Sequence, residues 1–568
     1  MTQAAKRADL VLVWHMHQPD YRDYATGEFT QPWVYLHAIK DYADMAAHLE
    51  RHANLCAVVN LVPVLLDQIE DYTDQFASGR IRDPLLRLLA RDETTPLTLE
   101  ERRLVVAQCF RANHDKMVGP YPAYKILHDL FVQLDQQGPA ALDYLSDRYC
   151  YDLITWYHLA WTGETVRRES GLVARLMNLG TGFSPADRRA LFALIGDVVT
   201  GIIRRYARLA AGGRVELSTT PHYHPLAPLL IASESAREAR PELALPTAGP
   251  YPGGVERVTA HLDAALESHA RRFGAPPAGV WPAEGALSAP FAELLAERGF
   301  RWTASGEAVL ANTLRHAGEP LPDRGQWVYR PWRVEGRGLT CFFRDDRLSD
   351  LIGFEYSKWH SADAATHFVG ELEAIAAGAS PESTPLIAVI LDGENCWEYY
   401  PYNGFYFIDE LYGKLESHPS VRTTTFAAAL GESDAAQPRA RALPRLTAGS
   451  WVHGDLTTWI GSPEKNRAWD LLIAAKRAFD VAIAAGRLSA SQRAAAYRQL
   501  ANCESSDWFW WMGDYNPAFA VATFDRLFRT NLSRLYGLLD LPAPPTLAHP
   551  ISRGRGHPEL GGAMRRAT

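Results

Sequence analysis

Apolar residues are bunched along the chain into seven short runs: Leu10–Trp14, Ala57–Val62, Val215–Thr219, Val280–Trp281, Trp302–Ala304, Leu339–Phe343 and Leu386–Leu391. Their length, β-branched content and flanking turn residues predict buried strands rather than helices. Longer stretches with helical spacing separate them. Strands that alternate with helices build a parallel sheet with helices outside it, and seven such strands predict a barrel-like closure.

The stretch at about 93–211 lacks strand signals and carries helical periodicity, so a mostly helical insertion is expected between the second and third strands. Residues 1–430 are then one α/β unit, a seven-stranded (β/α) barrel with that insertion. Residues 431–447, polar with two prolines, have the character of a connection. Beyond it, Ser462, Pro463 and Glu464 make a helix start, with a hydroxyl cap, proline in the first turn and an acid at the positive dipole end. Leu472, Lys476, Phe479 and Ile483 follow at helical spacing, which predicts a helical carboxy-terminal domain over 448–539. The tail, 540–568, is expected to be disordered.

Composition narrows the function. The 568 residues are 47% hydrophobic and 22% charged, as in soluble globular proteins. A net charge of −8 gives no electrostatic footprint for nucleic acid or an anionic membrane. No run reaches the roughly 20 apolar residues of a membrane span, and the amino terminus lacks a signal h-region. Six scattered cysteines without a CxxC pair read as reduced thiols, so a cytoplasmic location is expected.

Chemistry gathers at the predicted strand ends. Trp14-His15-Met16-His17-Gln18-Pro19 follows the first strand, where residues two apart share a face, so His15 and His17 point the same way. Thr220-Pro221-His222-Tyr223-His224 offers a second pair after the third strand. Parallel α/β sheets bind ligands at their carboxyl ends. Trp281-Pro282-Ala283-Glu284-Gly285 places a carboxylate in a partly desolvated position. Asp392-Gly393-Glu394-Asn395, followed by Trp397, supplies two more acids around a glycine. One carboxylate on each of two strands of one sheet is the requirement of glycoside hydrolysis, an ionised nucleophile and an acid for the leaving oxygen. A fifth segment, residues 449–461, adds Trp451, His453 and Asp455 and offers substrate contacts from a second domain. Trp281, Trp302, Trp397 and the cluster Trp508, Trp510 and Trp511 have flat faces suited to sugar rings as well as to cores.

These five segments, in this order, resemble the motif series of glycoside hydrolase family 57, over about residues 10–535. The wording TTPHYHPLAPLL and LDGENCWEYY is similar to the catalytic part of amylopullulanase-type enzymes. The resemblance implies a seven-stranded (β/α) barrel with a helical carboxy-terminal domain, retention of configuration and neither catalytic metal nor cofactor. It implies Glu284 as nucleophile and Asp392 as acid/base, with His15, His17, His224, Trp281, His453 and Asp455 lining glucose subsites. The substrate implied is an α-glucan, with α-1,4 or α-1,6 bonds. The sequence departs from large secreted amylopullulanases in lacking a leader and accessory carbohydrate-binding modules, which favours cytoplasmic glycogen or maltodextrin. On this reading Asp392 has its pKa raised by Glu284 and by burial. Three rivals stand beside hydrolysis: a 4-α-glucanotransferase or branching enzyme using the same pair, a metal-dependent polysaccharide deacetylase built on the two His-x-His pairs, and a catalytically silent glucan-binding scaffold.

Overall fold

A computed structural model describes residues 7–319, 321, 323–380, 383–432 and 440–556. Each predicted apolar run forms a strand: β1 (Ala8–Met16), β2 (Ala57–Leu61), β3 (Val215–Ser218), β4 (Gly279–Val280), β5 (Trp302–Gly306), β6 (Thr340–Arg344) and β7 (Leu386–Asp392). β1 runs parallel to β2, with Val13 opposite Val58, and to β7, with Leu10 opposite Ile387. β2 continues to β3, β4 to β5 and β5 to β6, all parallel. Two narrow joints complete the ring. Thr219 bridges Val280 between β3 and β4, and Arg344 faces Ala388 between β6 and β7. The result is a (β/α)7 barrel. Three short strands border it: Trp332–Val334, Val421–Thr423 and Arg441–Leu443.

The period of two along each strand divides the core. Val11, Val13, Val58, Trp281, Trp302, Ala304, Phe342, Ala388 and Ile390 form one buried cluster inside the barrel. Leu10, Leu12 and Trp14 of β1 face outward into the larger helical core. The inward face of β1 continues from Val13 to His15 at the carboxyl end, so apolar packing gives way to chemistry at the mouth.

Between β2 and β3 the chain is helical, as expected of the insertion, and its longest helix, Pro185–Ala211, starts in a Ser184/Asp187 capping box. The carboxy-terminal helices are Pro463–Ala484, Ala490–Cys503, Asp507–Trp511 and Ala518–Leu538. Ser462 caps the first by accepting from the Lys465 N–H. Lys476, the polar exception in that stripe, is buried and held by Asp480 at 2.6 Å. Within the expected connection, residues 441–443 pair with 332–334, while 433–439 lie outside the described residues.

The tail departs from expectation as far as it is described. Ile551 and Ser552 are buried, their backbone N–H groups donating to Asp525, and the Ser552 hydroxyl reaches Glu464 at 3.0 Å. These polar anchors order a sequence whose composition alone reads as disordered. Among the described residues no helix is long and apolar enough to cross a membrane.

Candidate active site

The strand register brings the motifs level. His15 lies opposite Asn60 on β2 and Asp392 on β7. The Asn60 amide nitrogen donates to the Ser218 hydroxyl and to the Thr219 carbonyl at 2.7 Å, so its oxygen faces His15 Nδ1 at 2.7 Å. That oxygen only accepts, hence His15 carries its proton on Nδ1 and turns the Nε2 lone pair toward His224 Nε2, 3.3 Å away. His224 therefore donates from Nε2, and its Nδ1 lies 2.7 Å from the Ser506 oxygen, whose single proton is set between that nitrogen and Glu284. Burial first, then the neighbouring histidines, keep both rings neutral: the His15 pKa is pushed down to about 3 and that of His224 lies well below its ordinary range.

Glu284 follows β4 on a tight turn and holds φ 58°, in the left-handed region that side chains avoid. His224 and His453 share that conformation, each at φ 58°. Such backbone costs of order 1–3 kcal/mol per residue and gathers at functional sites. Gly285 is left-handed as well (φ +56°), and a Cβ there would lie 2.7 Å from the Trp281 ring. The Glu284 carboxylate accepts from the Ser506 hydroxyl at 3.1 Å and from the Trp451 indole N–H at 3.4 Å, while the Trp451 backbone N–H donates to the Glu284 carbonyl. Burial, then the charges of Asp507 and Asp392, push the Glu284 pKa up to about 8.

Asp392 closes β7. Asn395 donates to it at 2.7 Å, and the Gly393 N–H reaches back to the His15 carbonyl at 2.6 Å. Burial raises the Asp392 pKa to about 6. Asp507 adds to the rise, and Asn395, His17 and Arg344 oppose it. Glu394 is buried behind this turn and accepts from the His17 backbone N–H at 3.0 Å. Burial, then Asp392, holds its carboxyl well above the carboxylate range.

The carboxy-terminal domain contributes two groups that sequence reasoning missed. Asp507 accepts from His17 Nε2 at 2.9 Å and from the Ser505 hydroxyl at 2.5 Å, and Ser506 joins His224 to Glu284. A signal was present: four polar residues, Glu504 to Asp507, interrupt the apolar and aromatic pattern just before Trp508-Phe509-Trp510-Trp511. His17, His224 and Asp507 stand close enough together to surround an ion. However, both ring nitrogens of His224 are engaged by His15 and Ser506, and His17 stacks on His224 at 3.8 Å with Asp507 on its Nε2.

Other predicted residues stand elsewhere or do different work. Trp281 is buried beside His15 and Trp451, with a ring separation of 5.3 Å to Trp451. Trp302 does not reach the mouth. It opens β5 at the opposite end, where it packs on Phe426 and its indole N–H bonds Glu216. Trp397 is buried on Trp14 and Tyr400 and donates to the Gly393 carbonyl, which makes it a support beneath the Asp392 turn. His222 turns away to Asp67, which also binds Arg272. Asp455 staples its own turn, accepting from Thr457 and Arg240, and His453 is exposed. Trp508, Trp510 and Trp511 pack within the carboxy-terminal domain, Trp511 lying flat on Phe524 at 4.6 Å.

Solved structures share this architecture. A family 57 branching enzyme from Thermococcus kodakaraensis, solved with glucose, is 16% identical, with a TM-score of 0.56 over 94% of this chain and 90% of that one. A branching enzyme of the same type from Pyrococcus horikoshii is 15% identical, with a TM-score of 0.53 over 96% of both chains. An α-amylase from Thermotoga maritima is 12% identical, with a TM-score of 0.54 over 98% of this chain and 95% of that one. No curated protein matches the chain by sequence. The family described as Glycosyl hydrolase family 57 matches residues 11–440, most of the chain and all seven barrel strands. The chain belongs to glycosyl hydrolase family 57.

Proposed function

We propose that the protein is a retaining glycoside hydrolase acting on α-glucans such as cytoplasmic glycogen, maltodextrin or pullulan, with Glu284 as nucleophile and Asp392 as acid/base. The observation that supports this most is the pairing of two buried carboxyls, from the ends of β4 and β7 at the mouth of one barrel, with the charge of Asp392 raising the pKa of Glu284. With Glu284 raised to about 8 and Asp392 to about 6, the free pair carries a single proton around neutral pH, held on Glu284. The double displacement needs the opposite assignment, Glu284 ionised and Asp392 protonated, so on this reading the proton passes to Asp392 when substrate enters the site.

In the glycosylation step Glu284 attacks the anomeric carbon and the bond to the leaving oxygen breaks as Asp392 delivers its proton to that oxygen. Positive charge developing on the sugar beside Glu284 stabilises its carboxylate during the attack. In the second step Asp392 takes a proton from the incoming acceptor as that acceptor's oxygen displaces Glu284. Trp451 and Ser506 orient Glu284, and Asn395 orients Asp392.

Transfer to another sugar, as by a branching enzyme or 4-α-glucanotransferase, is the second reading. It is favoured by the depth of the site, where the Glu284 side chain is only 12% exposed, and by the branching activity named for two of the structural neighbours. Incubation with maltooligosaccharides alone separates the two. Reducing ends rise with hydrolysis and hold constant while chain lengths redistribute with transfer. Glu284→Gln and Asp392→Asn are each expected to abolish both outcomes while leaving glucan binding intact; near-normal turnover by either variant ends the assignment.

A further inference from the structure

On the outer helical layer, the helix Ala43–Arg51 after β1 packs beside the helix Phe405–Glu416 after β7. His48, His52 and Asp409 meet between them, one ligand atom from each lying within 4.8 Å of the others. We propose that these three side chains form a zinc site, separate from the catalytic mouth.

Three features of the cluster point to a metal cation. First, His48 is fully buried, yet neither of its ring nitrogens has a hydrogen-bond partner. A buried imidazole left so costs about 1–3 kcal/mol, and Nδ1 is turned toward Asp409 Oδ1 at 4.0 Å. Second, His52 stands between two carboxylates, its Nδ1 3.0 Å from Glu416 Oε2 and its Nε2 3.3 Å from Asp409 Oδ1. Third, the carboxylate–imidazole pair Glu416–His52 has the arrangement that orients histidines on metals. Glu416 is itself held by the Asn54 backbone N–H at 2.9 Å.

Two imidazoles and one carboxylate, with room for water at the half-exposed Asp409, suit zinc. Arg51, which also reaches Asp409 at 3.3 Å and lies over the Phe405 ring at 4.7 Å, is 40% exposed, so its guanidinium can give up Asp409 to the ion and stay solvated. Arg214 faces the carbonyl rather than the ring of His52. Such an ion would fasten the helices behind β1 and β7, the strands that end in His15 and Asp392.

The test uses the full-length protein, stripped with chelator and titrated with cobalt chloride as a spectroscopic probe, then with zinc chloride. One equivalent of cobalt with the visible absorption of a low-coordinate site is expected, displaced by zinc, with zinc raising the Tm and chelator reversing it. His52→Gln, at a partly exposed position, should remove the absorption, and Glu416→Gln should weaken binding by about 10–100-fold. His48→Phe, which fills the same volume, should abolish binding while stripped protein keeps its Tm. Asp507→Asn should leave the spectrum unchanged. The proposal fails if no cobalt binds, if His52→Gln binds it as the parent does, or if Asp507→Asn removes it, since the ion would then sit in the catalytic mouth.

Discussion

Asp507 is the most informative side chain to change, because its charge acts on both proposed catalytic carboxyls and in the same direction. Asp507→Asn preserves shape and leaves an oxygen to accept from His17, but removes a negative charge that raises Glu284 and Asp392 alike. A pair of charges 4 Å apart interacts by about 4 kcal/mol at an effective dielectric of about 20. Asp507 acts from beyond hydrogen-bond contact with either carboxyl, so ~1–2 kcal/mol remains. One pKa unit is about 1.36 kcal/mol, so both limbs of the kcat/KM bell should move by roughly one unit. The direction is set by the chemistry: without the repulsion each carboxyl ionises more readily, so the acid limb near 6 and the alkaline limb near 8 both shift to lower pH. The kcat/KM profile is the proper assay, since it reports the free enzyme. Maltoheptaose turnover measured through both limbs gives the answer. Limbs that stay in place, or move to higher pH while the protein remains folded, would refute the electrostatic reading of the site.

Three further outcomes are expected. Trp451→Phe keeps a ring beside Trp281 but loses the N–H on Glu284, a bond that stabilises the carboxylate; the alkaline limb should move up by a few tenths of a unit, opposite to Asp507→Asn. Asn60→Leu leaves the buried His15 Nδ1–H without its acceptor and should lower stability by about 1–3 kcal/mol, read by urea unfolding. Glu504 is fully buried and held by Arg257, His261 and Tyr251, so Glu504→Gln strands a cation and should cost about 3–5 kcal/mol. Its folded pKa is depressed below the ordinary 4.5, chiefly by Arg257 against the cost of burial. The ionised form therefore stabilises the protein above that value, and this contribution is lost as pH falls below it. Parent protein should show a fall in Tm on acidification that is smaller in the variant.

Much of the barrel was legible because strands such as β1 and β7 are buried on both faces and so read as nearly unbroken apolar runs. Even β4, two residues long, was marked by Val280 beside Trp281. The strand-end acids were legible for the same reason: a polar residue after such a run has only the mouth to occupy. The tryptophans were not, because indole surface serves a floor as well as a pocket. Trp302 became floor since it begins its strand, a position that faces away from the carboxyl end. His222 and His224 share a sequence pattern but not a fate, since the left-handed backbone at His224 turns one ring in while Asp67 draws the other out. Asp507 escaped notice because spacing along a helical domain carries no information about which distant strand it will meet. The tail was misjudged because composition weighs proline and glycine without seeing the single buried carboxylate, Asp525, that gathers its amides.

The division of the site between a barrel and a later domain bears on how the protein comes into being. A nascent chain that has emerged only as far as β7 already holds Glu284 and Asp392, but it lacks the hydroxyl that faces one and the acid that tunes both. Ser506 and Asp507 arrive more than a hundred residues afterwards, and they are secured by the Glu504 cluster next to them. Ribosome-bound fragments would thus hold the proposed reactive carboxyls in an untuned state, and the enzyme would reach its working pH range only when the last helices dock.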